Sequence, residues 1–336
     1  MTKDVEISII IVNYKTKALT LDCIRSVYEE CRGQSFEIIL ADNNSEDGTV
    51  EAVRELHPGV QVIALEKNVG FARANNAAAK YASGEYILLL NPDTVVLDNA
   101  IFRLLEFAKQ NPHGGVWGGR TVFADRSLNP PSCWGKLTIW NLFCNLSGLS
   151  GVLPNSPLFN SVSYGGWLRD SVREVDIITG CFLLIRRSLW DRLGGFDPVY
   201  FMYGEDSDLS LRVKALGFRP MITPHATIVH YNGASEWPPA RKQTQLFAAA
   251  ITIIDRHWPR PKRFWGRLLI KLYPYPRLFS YFMLTLVHGR AGNSANRLEI
   301  WKTVLSQKQQ WVHGFKASGT EEAPRYEQLR LRSLEQ

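Results

Sequence analysis

Two aspartates stand just beyond strongly apolar segments in the first hundred residues of the chain. Asp42 follows the segment Phe36–Ala41, and Asp93 lies shortly after the segment Tyr86–Leu90. Ligands of open α/β sheets bind beyond the carboxyl ends of the strands, so both carboxylates are expected at one rim of such a sheet. Mg²⁺ prefers oxygen ligands and takes much of its coordination shell from phosphates and water. The two aspartates therefore predict a site for a metal ion and a polar ligand.

Both aspartates also have a purely structural interpretation. The sequence Asn91-Pro92-Asp93 is common in turns, and Ser45 or Asp47, which follow Asp42, are typical helix-capping residues. In the functional interpretation, Asp42 accepts a hydrogen bond from a nucleobase N–H or a ribose hydroxyl, and Asp93 anchors the cation. Taken singly, each motif leaves both interpretations open.

A third group of acids begins a predicted helix. Glu205, Asp206 and Asp208 lie close together after Gly204. The helix dipole favours acids at this position, which is a structural explanation. Neighbouring carboxylates also repel one another, which raises at least one pKa and suits a general base. Glu205 and Asp208 share a helix face, whereas Asp206 points elsewhere.

His230 ends the predicted strand Ala226–Val229. A single histidine is more often structural than a metal ligand. This one gains interest because it stands at a strand end, as Asp93 does. The sequence thus adds a possible nitrogen ligand to the predicted rim.

Alternating strands and helices must position these residues. The predicted strands of the first hundred residues are Ile7–Val12, Phe36–Ala41, Val60–Ala64 and Tyr86–Leu90, with helical patterns between them. This alternation predicts an α/β fold with a doubly wound, mostly parallel sheet. Residues 125–172 are rich in Gly, Pro, Ser and Asn, which predicts a long loop region of the kind that lines binding clefts.

The bulk composition describes a folded chain that is too long for one small core. It has 336 residues, of which 45% are hydrophobic and 21% charged, so we expect one large α/β domain with an appendage or two domains. The five cysteines are scattered and form no CxxC pair, which favours reduced thiols in a cytoplasmic protein. Charged residues near the N-terminus argue against a signal peptide.

The net charge of +7 is concentrated late in the chain. Residues 241–271 hold eight basic residues and one acid, Asp255, and aromatic residues lie among and after them. Basic residues mixed with Trp and Tyr suit a membrane interface. They also suit nucleic acid, but the chain shows no nucleic-acid-binding motif. A helical cap packed on the main domain remains the structural alternative, and the apolar stretch Leu278–Val287 is too short to span a bilayer.

Short motifs follow one another in a fixed order along the chain. They are Val12-Asn13-Tyr14-Lys15, Asp42-Asn43-Asn44-Ser45 with Asp47-Gly48-Thr49, Asn68-Val69-Gly70-Phe71-Ala72 with Asn75-Asn76, Asn91-Pro92-Asp93, Gly180-Cys181-Phe182, Gly194-Gly195-Phe196-Asp197, Gly204-Glu205-Asp206-Ser207-Asp208-Leu209, and His230 with Gly233 and Ser235. As a set, over about residues 5 to 260, they resemble family 2 glycosyltransferases of the GT-A fold. Within that family the chain looks like the rhamnosyltransferase branch that builds bacterial surface polysaccharides.

The resemblance implies a role for each matching residue. Asp206 would be the catalytic base, with Glu205 beside it, and Asp93 and His230 would bind Mg²⁺ or Mn²⁺. Asn91 replaces the first acid of the family's Asp-x-Asp motif, which puts a ribose contact there in doubt. The residues implied in donor binding are Asn13, Tyr14, Asp42, Asn68, Gly70, Arg73 and Asn91.

The resemblance also implies the reaction and its setting. We expect an inverting hexosyltransferase with a GT-A catalytic domain over residues 1–235 and a helical C-terminal extension over residues 236–336 that ends in a frayed tail. The expected donor is dTDP-rhamnose, with UDP-sugars second. The expected acceptor is a polyprenyl-diphosphate-linked sugar or an oligosaccharide at the inner face of the cytoplasmic membrane. The Gln-x-x-Arg-Trp motif of processive members is absent, since Gln309-Gln310-Trp311 lacks the arginine.

Two other classes of protein share part of this pattern. A nucleotidyltransferase would use a similar sheet and metal, but it would usually have a Gly-rich basic phosphate loop near the N-terminus, and Asn13-Tyr14-Lys15 has no glycine run. An inactive membrane-bound scaffold would use the basic C-terminal region alone. The intact acids argue against that alternative.

Overall fold

The computed structural model describes residues 5–231, 238–288 and 293–316. These residues form two compact units. The sheet unit comprises the described parts of Met1–Trp134 and Trp167–Ser235, and the helical unit comprises Gly135–Gly166 and the described parts of Glu236–Ser318. Each unit has its own buried core.

The strands in chain order are β1 Ile7–Asn13, β2 Phe36–Asp42, β3 Gln61–Ala64, β4 Tyr86–Leu90, β5 Thr94–Val96, β6 Val116–Val122, β7 Cys133–Trp134, β8 Arg173–Glu174, β9 Ile177–Ile178, β10 Phe182–Arg186 and β11 Met221–His230. The helices are α1 Lys17–Glu30, α2 Thr49–Leu56, α3 Phe71–Ala79, α4 Ala100–Gln110, α5 Ile139–Ser147, α6 Leu149–Val152, α7 Arg187–Leu193, α8 Glu205–Ala215, α9 Pro239–His257, α10 Arg260–Leu272, α11 Pro274–His288, α12 Asn293–Ser306 and α13 Lys308–Trp311.

The main sheet is mixed, and its N-terminal half is parallel. Its order is β3-β2-β1-β4-β10-β6-β11-β5, and β8 pairs with β11. β3, β2, β1 and β4 run parallel, β10 lies antiparallel between β4 and β6, and β5 lies antiparallel to β11. The order reverses direction beside β1, where doubly wound sheets bind their ligands. The predicted α/β architecture is confirmed.

Continuous apolar runs explain why the central strands are buried. Every residue of β1 is buried, and so is every residue of β4. Strands that helices cover on both faces lack the alternation of half-exposed strands, which is why β-branched and leucine runs occur here. Asn13 ends β1 and Asp42 ends β2, and these two polar residues lie directly opposite each other in the β1–β2 register.

The predicted loop over residues 125–172 is wrong in its central part. Helix α5 begins after Thr138, whose hydroxyl accepts from the Asn141 backbone N–H, while the Asn141 side chain accepts from the Thr138 N–H. This capping box fixes the helix start. The Gly, Ser and Asn residues that suggested a loop flank the apolar run, and they end α5 at Gly148 in the left-handed region.

The helical unit is organised around α9. Phe247, Ile251 and Ile254 of α9 are buried with Val304 and Trp311 in one cluster. Among the helices described, none is both long and apolar enough to cross a membrane.

Candidate active site

The ends of β1 and β2 are joined by a buried polar network. The Asn13 side-chain amide donates to Asp42 Oδ1 at 2.7 Å and to the Ser45 hydroxyl at 2.9 Å. Asp42 Oδ2 accepts from the Ser45 backbone N–H at 3.0 Å, so both carboxylate oxygens are held. On its other side, Asn13 Oδ1 accepts from the hydroxyls of Thr16 and Thr20. The structure therefore brings Asn13 and Asp42 together. The turn at Ser45 is held by Asp42, whereas the capping interpretation gave the structural role to Ser45 or Asp47.

The Asn68–Gly70 segment is fixed against neighbouring loops. Asn43 Oδ1 accepts from the Val69 N–H at 2.8 Å, and Asn68 Oδ1 accepts from the Gly70 N–H at 3.0 Å. Gly70 has a φ of +86°, and a Cβ at this position would lie 2.3 Å from the carbonyl oxygen of Phe201. Only glycine permits this approach of the two backbones. The contact joins the segment before α3 to the loop that leads into α8.

Asn91, Asp93 and His230 meet where β4 and β11 end. His230 Nε2 lies 3.3 Å from Asp93 Oδ1 and 3.4 Å from Asn91 Nδ2. Asp93 and His230 are both buried, and the Tyr231 N–H donates to the Asp93 carbonyl at 3.0 Å. The sequence placed both residues at strand ends, and the antiparallel pairing of β5 with the end of β11 brings them together.

Gly180 and Cys181 connect this cluster to the start of α8. The Cys181 carbonyl accepts from the Asn91 N–H at 3.1 Å, and the Gly180 N–H donates to Asp206 Oδ2 at 3.3 Å. Asp206 Oδ1 accepts from the Ser207 N–H at 2.6 Å. Two consecutive residues therefore hold Asp206 on one side and Asn91 on the other.

The two adjacent carboxyls of α8 differ in their surroundings. Burial, and after it the charge of Asp206, raises the pKa of Glu205 to about 8, and Glu205 Oε2 has no hydrogen-bond partner among the described residues. Burial also raises the pKa of Asp206, but the N–H groups of Ser207 and Gly180 oppose the shift because they stabilise the carboxylate. These surroundings favour the protonated form at Glu205 and the carboxylate form at Asp206. Pairs of acids separated in this way are typical of acid–base sites.

A buried arginine, which the sequence did not single out, fixes α8 in place. Arg212 Nε donates to Asp208 Oδ2 at 2.7 Å, and its two terminal nitrogens donate to the carbonyls of Leu193 and Gly195 at 2.9 and 2.8 Å. Asp208 is thus engaged in an internal ion pair. The four-residue spacing of Asp208 and Arg212 on one helix face was the available signal.

Asn76 holds the same turn from the other side. Its side chain accepts from the Phe196 N–H at 2.9 Å and donates to the Phe196 carbonyl at 2.7 Å. Asn76 of α3 and Arg212 of α8 therefore both form hydrogen bonds to the turn after α7. Nothing in the local sequence of Asn76 predicts this long-range contact.

Tyr14 and Arg73 are half-buried on the elements that the sequence predicted. Tyr14 follows β1, and the Lys15 ammonium lies 5.5 Å from its ring centroid. Arg73 lies in the first turn of α3. Gly233 and Ser235, which belong to the motif of His230, lie outside the described residues.

The chemistry of the donor set fits a divalent cation. Asp93 offers carboxylate oxygen and His230 offers imidazole nitrogen, and GT-A-type sites need few protein ligands because diphosphate supplies others. Within the described residues no cluster of three or more His, Cys, Asp or Glu side chains is arranged to hold a metal. Burial lowers the pKa of His230, but Cys181 and Asp93 raise it more strongly, to about 10. That proton must leave before the imidazole can bind a cation.

Comparisons with known proteins agree with this geometry. Residues 8–193 match the family model "Glycosyl transferase family 2". The chain is 30% identical over 251 residues to the N-acetylglucosaminyl-diphospho-decaprenol L-rhamnosyltransferase of Mycobacterium tuberculosis, which covers 67% of this chain and 78% of the relative. It is 27% identical over 225 residues to rhamnosyltransferase WbbL of Escherichia coli, covering 62% of this chain and 79% of the relative.

A solved structure establishes the fold independently. The mannosyltransferase PcManGT from Pyrobaculum calidifontis, in complex with GDP-Man and Mn²⁺, superposes with a TM-score of 0.55 at 16% identity, covering 92% of this chain and 88% of that one. At this identity the likeness shows the GT-A fold alone. The family match covers more than half of the chain, so the protein is a glycosyltransferase that belongs to family 2, with relatives in its rhamnosyltransferase branch.

Proposed function

We propose that the protein is an inverting, metal-dependent, non-processive rhamnosyltransferase of surface polysaccharide synthesis. Its donor is dTDP-rhamnose, and its acceptor is a polyprenyl-diphosphate-linked sugar or an oligosaccharide. It works in the cytoplasm as a peripheral protein at the inner face of the membrane. The relatives whose names specify rhamnosyl transfer support the sugar. The missing arginine of Gln309-Gln310-Trp311 supports single rather than repeated additions.

One observation carries the catalytic part of the proposal. The dipeptide Gly180-Cys181 holds the Asp206 carboxylate through one backbone group and the Asn91-Pro92-Asp93 segment through the next. A base and a diphosphate-binding segment that are connected in this way lie on either side of the space in which a sugar must pass from donor to acceptor. Pre-set geometry of this kind lowers the entropic part of the barrier.

The donor is bound at the rim formed by β1, β2 and β4. Asp42 accepts from the N–H of the pyrimidine base, and Asn13 keeps the Asp42 carboxylate oriented through their 2.7 Å hydrogen bond. Tyr14, Asn68, Gly70 and Arg73 border the nucleotide on the adjoining loop and helix. Asn91 stands where related enzymes have an acid.

Asp206 acts as the general base. It removes the proton from the acceptor hydroxyl as that oxygen attacks the anomeric carbon, and the bond from this carbon to the diphosphate oxygen breaks on the opposite face. The electron pair leaves with dTDP, the new glycosidic bond has inverted configuration, and the proton stays on Asp206 until solvent removes it. Glu205 keeps its proton beside Asp206, so the pair carries one negative charge before the transfer and none until the proton leaves Asp206.

Asp93 and His230 are the residues that would hold Mg²⁺ or Mn²⁺. When bound, the cation offsets the negative charge that grows on the departing diphosphate. The protein's own contribution is the rigid placement of the two side chains, since both are buried and both lie at strand ends.

Asp206→Asn tests the assignment directly. The variant should lose about 10²–10⁴-fold in turnover, which is the effect of one general base, while dTDP affinity stays within about twofold. The matched control is Asp191→Asn, the same change at an exposed position of α7. Turnover above about a tenth of wild type in Asp206→Asn would remove Asp206 from the mechanism.

The donor is tested by competition. A nucleotide that binds only the folded protein raises its melting temperature, and at a fixed concentration the rise grows with the logarithm of its affinity. We expect dTDP with Mn²⁺ to stabilise the protein more than UDP, and UDP more than GDP. Preference for GDP would contradict the pyrimidine contact of Asp42.

A further inference from the structure

Helices α10 and α11 belong to a long stretch of chain that contains no acid. No Asp or Glu occurs between Asp255 and Glu299. The basic residues of this stretch are Arg256, Arg260, Lys262, Arg263, Arg267, Lys271, Arg277, Arg290 and Arg297. The described part of this stretch, residues 256–288 and 293–298, therefore carries a net positive charge throughout the neutral pH range.

One face of α11 exposes large apolar side chains. Tyr275, Phe279, Phe282, Met283 and Leu286 recur at helical spacing, and all are exposed, with Phe279 at 67% and Leu286 at 64%. Side chains at this spacing line one stripe of a helix. Helix α11 also packs on α12. A water-soluble helix would carry polar residues on such a stripe, so the face needs an apolar partner.

Helix α10 combines the apolar and the positive features. Phe264 and Trp265 are 65% and 55% exposed, and they lie beside the exposed residues Arg260 and Lys262. The buried positions of α10 include Ile270, which joins the core of the helical unit. The helix thus packs through one side and presents aromatic and basic residues on its outer surface.

Arg277 anchors this surface to the unit. Its guanidinium donates to the carbonyls of Asn145 and Leu146 at the end of α5, and to the Tyr273 hydroxyl at 3.1 Å. The start of α11 is therefore fixed to α5. The exposed stripe is part of a packed unit.

We propose that α10 and α11 form a docking surface for anionic lipid, with both helices lying in the plane of the bilayer interface. Aromatic and aliphatic side chains would enter the headgroup region while the basic residues meet lipid phosphates. The proposal assigns the membrane association of the proposed function to a particular surface, and it rests on the proposed function only for that association. α11 is about 22 Å long at 1.5 Å per residue, shorter than a bilayer core.

Charge distinguishes this partner from two others. A second copy of the chain would bring its own acid-free stretch against this one, and like charges would oppose association. Nucleic acid would accept the basic and aromatic residues, but it offers no apolar phase for Met283, Leu286 and Val287, which are all exposed. A lipid surface satisfies both the charge and the aliphatic stripe.

Co-sedimentation of the full-length protein with vesicles tests the proposal. Vesicles of phosphatidylcholine alone are compared with vesicles that also contain phosphatidylglycerol, at low and high salt. They contain neither donor nor acceptor, so the result is independent of catalysis. We expect pelleting with the anionic vesicles at low salt and about tenfold or greater weakening at high salt, since the Debye length falls to roughly 3 Å at 1 M.

Two variants separate the apolar and charged contributions. Phe279→Ser with Phe282→Ser and Leu286→Ser should lower the partition coefficient about 100-fold through lost apolar burial. Arg260→Gln with Lys262→Gln and Lys271→Gln should lower it about 100-fold at low salt, because each basic residue contributes about fivefold. Unchanged circular dichroism and dTDP binding verify that both variants are folded.

A matched control removes exposed apolar residues elsewhere. Leu56 and Tyr81 of the sheet unit are 60% and 53% exposed, and Leu56→Ser with Tyr81→Ser should pellet like wild type. Equal binding to neutral and anionic vesicles, binding to neither, or equal loss in the control would overturn the proposal. So would a concentration-dependent dimer that the α11 variant abolishes. Rhamnosyl transfer to a detergent-solubilised acceptor reports on the proposed function separately.

Discussion

Arg212 offers the sharpest test of how the helix that carries Glu205 and Asp206 is held. Its guanidinium is almost fully buried, as is its partner Asp208, and it makes three hydrogen bonds of 2.7, 2.9 and 2.8 Å. One goes to Asp208 on the same helix, and two go to carbonyls of the turn after α7. A single side chain thus ties α8 to residues 193–195.

Arg212→Gln removes the positive charge and leaves the Asp208 carboxylate buried without it. Breaking a buried ion pair from one side costs about 3–5 kcal/mol, because an uncompensated charge remains. The carbonyls of Leu193 and Gly195 also lose charge-assisted donors, worth roughly 1.5–3 kcal/mol each before relaxation. We expect a net loss of about 4 kcal/mol in the free energy of unfolding, together with at least a tenfold loss in turnover.

Urea unfolding with and without dTDP, and steady-state transfer, measure the two effects. The matched control is Arg219→Gln, which removes an arginine from an exposed pair with Glu174 at 3.3 Å and should cost less than about 0.5 kcal/mol. Replacing both partners, as Asp208→Ala with Arg212→Met, should cost less than the sum of the single changes. A loss below about 1 kcal/mol in Arg212→Gln would refute the reasoning.

Three further expectations concern individual residues of the site. Gly70→Ala should cost more than about 2 kcal/mol in unfolding free energy and weaken dTDP binding, because its Cβ would meet the Phe201 carbonyl, whereas Gly194→Ala, with a positive φ but open space, should cost only about 1–2 kcal/mol. Asp93→Ala should abolish the gain in dTDP affinity that Mn²⁺ gives, measured by calorimetry with and without metal; an equal gain in both proteins would exclude Asp93 as a ligand. Glu205→Gln should flatten the pH dependence of stability. Burial raises the pKa of Glu205 to about 8 in the folded state, above the roughly 4.3 of an exposed glutamate, so folded wild type holds an extra proton and loses stability as the pH rises through this window. In thermal melts the variant should gain stability relative to wild type over the same window.

The central strands of the parallel half were predictable from sequence because β1, β4 and most of β2 are buried on both faces. β4 is apolar throughout and β1 is apolar apart from Ser8 and Asn13, and each predicted strand of this half lies within a residue or two of the observed one. β11 shows the limit of that signal. The sequence predicted only Ala226–Val229, whereas the strand extends from Met221, across an irregularity in its pairing with β6 between Thr223 and Thr227. Pro224 and His225 interrupt the apolar pattern there.

Residues 135–166 could not be assigned from composition. Glycine, serine and asparagine predict turns when they are counted, yet Thr138 and Asn141 use their side chains to begin a helix, and Gly148 ends it. The same residue types serve loops and helix ends because both need side-chain partners for backbone groups or a left-handed conformation. The three-residue spacing of Thr138 and Asn141 was the informative feature.

The site itself could be predicted only in part, for a reason that lies in its construction. Asp42, Asp93 and His230 were found because each follows an apolar strand, and strand ends converge on one rim. The contacts that orient Asp206 and its surroundings have no such local signature. The Gly180 N–H donates to Asp206, the Cys181 carbonyl accepts from the Asn91 N–H, and the Asn76 side chain bonds to the Phe196 backbone, so each contact uses a backbone group that every residue possesses. Any residue can supply a backbone group, so its type does not reveal which residue does so. The position of such a group becomes apparent only in the folded sheet, where β4 lies beside β10. The proposed catalytic and metal-binding residues can therefore be recognised from the sequence as residue types, whereas the groups that orient them depend on the fold.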